Sequence, residues 1–213
     1  MLKPVETPLR RIGFDHEREA IAAGLLPIAG IDEAGRGPWA GPVVAAAVIL
    51  DPDRIPVGID DSKRLSEARR EQLYEEICST ASWSVGIADC ALIDTLNLHH
   101  ATLWAMREAC LGLPVMPKLA LVDGKFCPEL GCQSRAIVGG DALSLSIAAA
   151  SIIAKVTRDR LMRRLAEEFP GYGFERHKGY GTREHQDALL RLGLTPHHRR
   201  SFAPIQALLS SRS

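Results

Sequence analysis

Three acidic residues stand where apolar strands run out into glycine-containing turns. Asp32 and Glu33 lie in Ile28-Ala-Gly-Ile-Asp-Glu-Ala-Gly-Arg-Gly37, and Asp123 lies in Leu119-Ala-Leu-Val-Asp-Gly124. A carboxylate at a strand end is poor core material and a good oxygen ligand for a hard cation. Asp141 follows Gly139-Gly140 and is the fourth candidate. Its alternative role is the N-cap of the helix that follows. Four such carboxylates suit Mg2+ or Mn2+, and two such ions can activate a water and stabilise the leaving oxygen of a phosphodiester. Asp159 is set aside. It lies five helical turns beyond Asp141, about 27 Å along a straight axis, so a basic neighbour such as Arg158 or Arg163 is its expected partner.

The elements must then bring these groups together. Neighbours on a regular strand point to opposite faces, so Asp32 and Glu33 share a site only if their strand ends or twists there. Strands are expected over 28–32, 42–50, 118–122 and 135–138, with a half-buried one through Trp83, Val85 and Ile87. Helices are expected over 15–25, after an N-cap at Ser66, over 91–111, over 143–169 and from about Thr182. Pro196 opens an irregular basic tail, with room for a small packing helix after Pro204. Strands come early and mix with helices. The fold class is therefore α/β, a mixed sheet flanked by helices with a helical C-terminal part. At 213 residues one domain is expected, 1–213, with about 170–213 as a basic helical portion.

Hydrophobic content of 46% with 24% charged residues is ordinary for a globular chain. The longest apolar run, 43–50, is far short of the ~20 residues that span a bilayer. The N-terminus lacks a signal-peptide core, so a cytoplasmic location is expected. Five cysteines at irregular spacing argue against a disulfide framework and are read as reduced thiols.

Net charge is zero, yet residues 155–200 carry +5 and the remainder −5. That asymmetry fits a basic flank for nucleic acid beside an acidic centre. Within it, Arg176-His-Lys-Gly-Tyr-Gly-Thr-Arg183 pairs basic groups with Tyr180, which could stack on a sugar or base. His197-His-Arg-Arg-Ser-Phe202 has the same flavour, and its two histidines are read as surface or phosphate-contacting groups. Gly35-Arg-Gly37 lets a backbone approach a ligand closely, although a tight turn is its simpler role. Ser62 and Lys63, in Asp61-Ser-Lys-Arg-Leu-Ser66, could hold a phosphate oxygen.

Five segments in order then resemble bacterial ribonuclease HII: Gly30-Ile-Asp-Glu-Ala-Gly-Arg-Gly-Pro38, Asp61-Ser-Lys63, Val122-Asp-Gly124, Ser146-Ile-Ala-Ala-Ala-Ser-Ile-Ile-Ala-Lys-Val-Thr-Arg-Asp159 and His177-Lys-Gly-Tyr-Gly-Thr182. The resemblance runs from about Ile28 to Pro204. It implies a ribonuclease H-like fold and cleavage of RNA in RNA–DNA hybrids. It also implies incision 5′ of single ribonucleotides in duplex DNA, leaving 3′-hydroxyl and 5′-phosphate ends. By the same resemblance Asp32, Glu33, Asp123 and Asp141 match the metal-binding and catalytic carboxylates. Gly35, Arg36 and Gly37 match the loop that reads the 2′-hydroxyl, and Tyr180 matches the tyrosine that packs on the junction nucleotide. The expected partners are hybrids and ribonucleotide-containing duplexes, with no membrane and a monomeric chain. One departure stands out. The family usually has lysine, glycine and aspartate at the fourth carboxylate, often with a further lysine two residues on; here the segment is Gly139-Gly-Asp-Ala-Leu143. Two other readings are an inactive hybrid-binding module and a related nuclease acting on plain DNA.

Overall fold

Strand β2 (Val43–Ile49) is apolar at every position because both of its faces are covered. In this computed structural model, which describes residues 12–210, Val43, Ala45 and Ala47 pack with Ala29 and Ile31 against the small residues Ala101, Ala105 and Ala109. Ala46 and Val48 pack on the opposite face against Ala149, Ile152 and Ile153. The first of these layers is helix α3 (Cys90–Leu111) and the second is α4 (Leu145–Glu168).

The sheet has five strands in the order β3-β2-β1-β4-β5, where β1 is Ile28–Ala34, β3 Ser82–Ala88, β4 Leu119–Asp123 and β5 Gln133–Ile137. The three N-terminal strands pair antiparallel, and β4 and β5 join them parallel. Two glycines let the helices sit close. A Cβ on Gly30 would land in the backbone of Ser146 at the start of α4, and one on Gly86 would land in the backbone of Ala105 in α3. The mixed sheet between helical layers is the expected α/β architecture.

Most element boundaries fall within a few residues of expectation, as for α1 (Asp15–Ala22) and for α2 (Glu67–Thr80), whose N-cap Ser66 accepts from the Arg69 amide. α3 departs from it. The helix is broken at Asn97, whose backbone takes φ 65° and ψ 165°. Its side-chain oxygen accepts from the amides of His99 (2.9 Å) and His100 (3.2 Å). Asparagine tolerates positive φ and caps a helix, so the second half of α3 starts afresh from Asn97. Strand β1 departs too: it runs on to Ala34 rather than ending at Asp32.

The C-terminal part comprises α5 (Phe174–His177), α6 (Arg183–Leu192, capped by Thr182) and α7 (Ala203–Ser210). Its apolar core of Phe174, Leu189 and Ile205 seats on Met162 and Leu165 of α4. Part of the +5 segment turns inward or pairs within the protein. Arg158 and Arg199 are buried. Arg160 pairs with Glu71 (2.6 Å) and Glu75 (2.8 Å), and Arg163 pairs with Glu67 (2.7 Å). These four arginines therefore tie α4 and the C-terminal part to α2 and to the loops, a role that sequence charge counting does not distinguish from nucleic-acid binding. His198 is likewise buried, contrary to its reading as a surface group. Cys90 and Cys110 are buried and all five thiols are free. Among the described residues no helix is long and apolar enough to cross a membrane.

Candidate metal centre and the adjoining glycine loop

The parallel pairing of β1 with β4 stops at Ile31 and Val122. Beyond that point β1 continues on β2 alone, with Asp32 opposite Ala46 and Glu33 opposite Ala45. Asp32 therefore faces the α4 side and Glu33 the α3 side, as strand alternation demands. They still converge because the β4 side of the strand has opened, and Asp123 ends β4 across that gap. One oxygen from each of Asp32, Glu33 and Asp123 lies within 4.8 Å of the others. The requirement that the strand end or twist is met by the loss of one neighbour, not by the end of the strand.

Asp141 stands beside this trio rather than in it. It sits in a 3-10 turn, Gly140–Ala142, buried, with Oδ2 accepting from Lys63 Nζ at 2.9 Å. It is not the N-cap of α4; Ser144 is. The same turn is pinned to the trio, since the Gly140 amide donates to Asp123 Oδ1 at 2.7 Å. Lys63 thus supplies a cation to Asp141 where the neighbouring sequence has none. Burial lowers the Lys63 pKa, but the hydrogen bond and charge of Asp141, with Asp61 and Asp32, outweigh it and hold the ammonium at about 12. Ser62 is buried, its amide donating to Ser151 Oγ at 3.3 Å and its carbonyl accepting from Arg70 at 2.7 Å. It anchors the turn that carries Lys63. Asp159 pairs with Lys155 at 2.7 Å, apart from the trio.

The electrostatics fit a cation. Burial, then the charges of Glu33 and Asp123, holds the Asp32 carboxyl well above the usual range. Burial raises Glu33 despite Arg36, which lies 3.5 Å away. Burial also raises Asp123 despite the Gly140 amide. Hard oxygen donors that repel one another at neutral pH are the donor set a divalent ion relieves. A carboxyl raised in the fold is stabilising below its unfolded pKa, and that contribution is lost as pH rises through the raised value. At pH 8 in chelator, Asp32→Asn is therefore expected to stabilise the fold by ~0.5–2 kcal/mol, read by thermal denaturation. The added stabilisation by Mn2+ should shrink in the same variant. An unchanged or lower melting temperature would count against this account.

Beside the trio lies the loop Gly35-Arg36-Gly37. Gly35 has φ 95°, which favours glycine. The ring of the half-exposed Tyr180 lies over Gly37, where a Cβ would come within 3.2 Å of it. Asp32, Glu33, Gly35, Gly37, Lys63 and Tyr180 line one cleft. The structure thus gathers all ten residues singled out from sequence in or against one region, with Asp141 reached through Lys63 and Asp123.

Two buried arginines with no site role assigned from sequence hold the loop and the segment after it. Arg199 donates to the carbonyls of Gly35 (2.5 Å), Arg36 (2.9 Å) and Gly41 (2.8 Å). Arg158 donates to those of Pro42 (3.0 Å), Ala40 (3.2 Å) and Lys178 (3.0 Å). Burial and Arg158 push Arg199 down to about 10, still charged at neutral pH. A histidine pair fixes the Tyr180 side. The Thr195 amide donates to His198 Nδ1 at 2.9 Å, which leaves the proton of neutral His198 on Nε2, facing His185 Nε2 at 3.0 Å. His185 then carries its own proton on Nδ1 and donates to the Tyr180 carbonyl at 2.9 Å. Burial first drives both histidines down to about 4, so both are neutral near pH 7. In sequence His198 and Arg199 read as basic surface; only their position two and three residues beyond Pro196 hints at a structured loop.

Known proteins resemble this chain in sequence and in fold. A ribonuclease HII family model matches residues 29–205. Ribonuclease HII of Nitrobacter hamburgensis is 57% identical over 205 residues, covering 96% of this chain and 77% of the relative. That of Azorhizobium caulinodans is 59% identical over 199 residues, covering 93% and 77%. Among solved structures, ribonuclease H2 from Pyrococcus horikoshii OT3 superposes with a TM-score of 0.75 at 26% identity, covering 86% of this chain and 97% of that one. With a family match over most of its length, close relatives and the shared fold, this chain belongs to the ribonuclease HII family of metal-dependent endonucleases.

Proposed function

We propose that this chain cleaves the RNA strand of RNA–DNA hybrids and incises 5′ of single ribonucleotides in duplex DNA, leaving 3′-hydroxyl and 5′-phosphate ends. The observation that supports it best is the convergence of Asp32, Glu33 and Asp123 within 4.8 Å, in one cleft with the Gly37–Tyr180 pair. In this reading Asp32, Glu33, Asp123 and Asp141 hold Mg2+ or Mn2+; oxygen donors accept either. Such ions, when bound, activate a water and stabilise the leaving oxygen.

The chain's own residues do the rest. Gly35, Arg36 and Gly37 present a backbone close enough to meet a sugar edge, and Tyr180 closes over it. A deoxyribose would leave the polar groups aimed at the 2′-oxygen unpaired, which is the costly side of such discrimination. Lys63, on a turn anchored by Ser62, offers its ammonium to a phosphate oxygen when it releases Asp141. Carboxylates and reader come from one copy of the chain, which supports action as a monomer formed by a single catalytic domain, 1–213. Five free thiols support a reducing compartment, the cytoplasm.

The test is a DNA duplex with one ribonucleotide, incubated with Mg2+ or Mn2+ and mapped on a sequencing gel. A cut on the 5′ side of the ribonucleotide is expected, with an all-DNA duplex left intact. Equal cutting of both would favour a plain DNA nuclease, and no cutting a binding module. Tyr180→Ala should narrow the difference in kcat/KM between the two duplexes by about 10-fold or more, the scale of one lost stacking contact.

A further inference from the structure

Two cavities meet at the carboxylates. One is the cleft of Gly37 and Tyr180. The other, of about 220 Å3, lies on the α3 side, where Glu33, Arg36 and Asp123 line it together with His99, Lys125 and Phe126. Five lysines and arginines line the two cavities, and the fold already engages all but one. Arg36 lies 3.5 Å from Glu33, Lys63 2.9 Å from Asp141 and Lys155 2.7 Å from Asp159. Arg158 donates to the carbonyls of Ala40, Pro42 and Lys178. Lys125 is exposed and has no ion pair or hydrogen bond among the described residues.

An exposed lysine is an ordinary surface group, but the backbone that carries this one is fixed on both sides. Before it, Asp123 Oδ1 accepts the Gly140 amide at 2.7 Å and the Gly124 amide donates to the Ile137 carbonyl at 3.0 Å, so the turn is bonded to the end of β5. After it, the Phe126 ring meets the His99 ring edge-on, with centroids 5.0 Å apart at 74°. His99 in turn stands on the helical segment that starts afresh at Asn97. The result is a free ammonium on a fixed base, two residues from a carboxylate of the trio. Glu33 and Asp123 repel an anion from the cavity floor, so an anion is met at the mouth, where Lys125 stands in water.

We infer that Lys125 binds the backbone phosphate next to the scissile one on its 5′ side, in the cleaved strand of the duplex. The inference rests on the function proposed above. A strand crossing the carboxylates leaves its ribonucleotide, which lies 3′ of the cut, in the cleft with Gly37 and Tyr180. Its 5′ continuation then passes the α3-side cavity. Bases are paired and stacked inside a duplex, whereas its phosphates face outward and stay open to a cation. A compact ammonium on a flexible stem suits such a contact. Contacts of this kind fix the register of the cut without reading sequence.

The test compares two duplexes, each with one ribonucleotide, one native and one with a neutral methylphosphonate at the linkage next to the scissile phosphate on its 5′ side. For the unaltered protein the neutral linkage should lower kcat/KM by about 3- to 10-fold, between an exposed ion pair and a charge-assisted hydrogen bond. Lys125→Met should lower cutting of the native duplex by a similar factor and bring the neutral-linkage ratio close to one. Lys125→Arg, which keeps the charge, should retain both. The slope of log kcat/KM against log salt should become shallower by about 1 in Lys125→Met, a difference of roughly 3- to 4-fold between about 50 and 200 mM salt. Melting curves should coincide, since the fold makes no use of this ammonium. A neutral-linkage ratio that is the same in Lys125→Met as in the unaltered protein overturns the subsite. So does a coupling found only at the linkage 3′ of the cut. Failure of the unaltered protein to cut the native duplex overturns the functional reading instead.

Discussion

Asp123→Asn is expected to lower cleavage of a ribonucleotide-containing duplex by at least about 10^3-fold, because several kcal/mol of transition-state stabilisation depend on the ions the carboxylates hold. The same change should leave the fold in place. Asp123 Oδ1 accepts the Gly140 amide at 2.7 Å, and an asparagine carbonyl oxygen at that position accepts it equally. The buried site, which raises the Asp123 carboxyl, favours the neutral amide. Single-turnover cleavage in Mg2+, circular dichroism and fluorescence anisotropy of an uncut duplex separate the three properties. Loss of the fold in this variant would assign Asp123 a structural role, and retention of cleavage would remove it from the metal centre.

Arg199→Met is expected to destabilise the protein by about 3–5 kcal/mol, as breaking a buried, fully hydrogen-bonded charged group does. Arg199 is completely buried, and its guanidinium satisfies the carbonyls of Gly35, Arg36 and Gly41. Methionine fills similar volume and donates nothing, so three carbonyls lose their donor. Lysine should not rescue it, since one compact ammonium cannot span three acceptors in a plane. Urea denaturation at pH 7 with an unchanged m-value reads this. A change below about 1 kcal/mol, within the range of an ordinary surface substitution, would mean that the loop holds its shape without Arg199. Because the loop it holds is the proposed ribose reader, the folded fraction of the variant should also discriminate less between ribo- and deoxyribonucleotide.

These two residues differ in how visible they were before the structure. Asp123 ends an apolar run and precedes a glycine, and that local pattern alone marks it as a strand-end carboxylate. The alternation of β2 over both faces, the Ser66 and Thr182 caps and the extent of α4 are local in the same sense, because propensity, capping and periodicity act over a few residues. So is the set of ten residues proposed for the site, each carried on a short motif.

What only the tertiary structure decided is which distant groups meet. Asp32 and Glu33 point to opposite faces of β1, and their convergence depends on where β4 stops pairing, which is a property of two strands about ninety positions apart. Asp141 met Lys63 across 78 positions. Arg158 and Arg199 looked like a nucleic-acid surface and are buried instead, Arg199 on the carbonyls of Gly35, Arg36 and Gly41 and Arg158 on those of Ala40, Pro42 and Lys178, because charge counts carry no information about burial. Asn97 breaks a helix that reads as continuous, and so sets His99 against Phe126. Local sequence determined the chemistry available at the strand ends of this protein; long-range packing determined which carboxylates could share an ion and which cations were left to face a substrate.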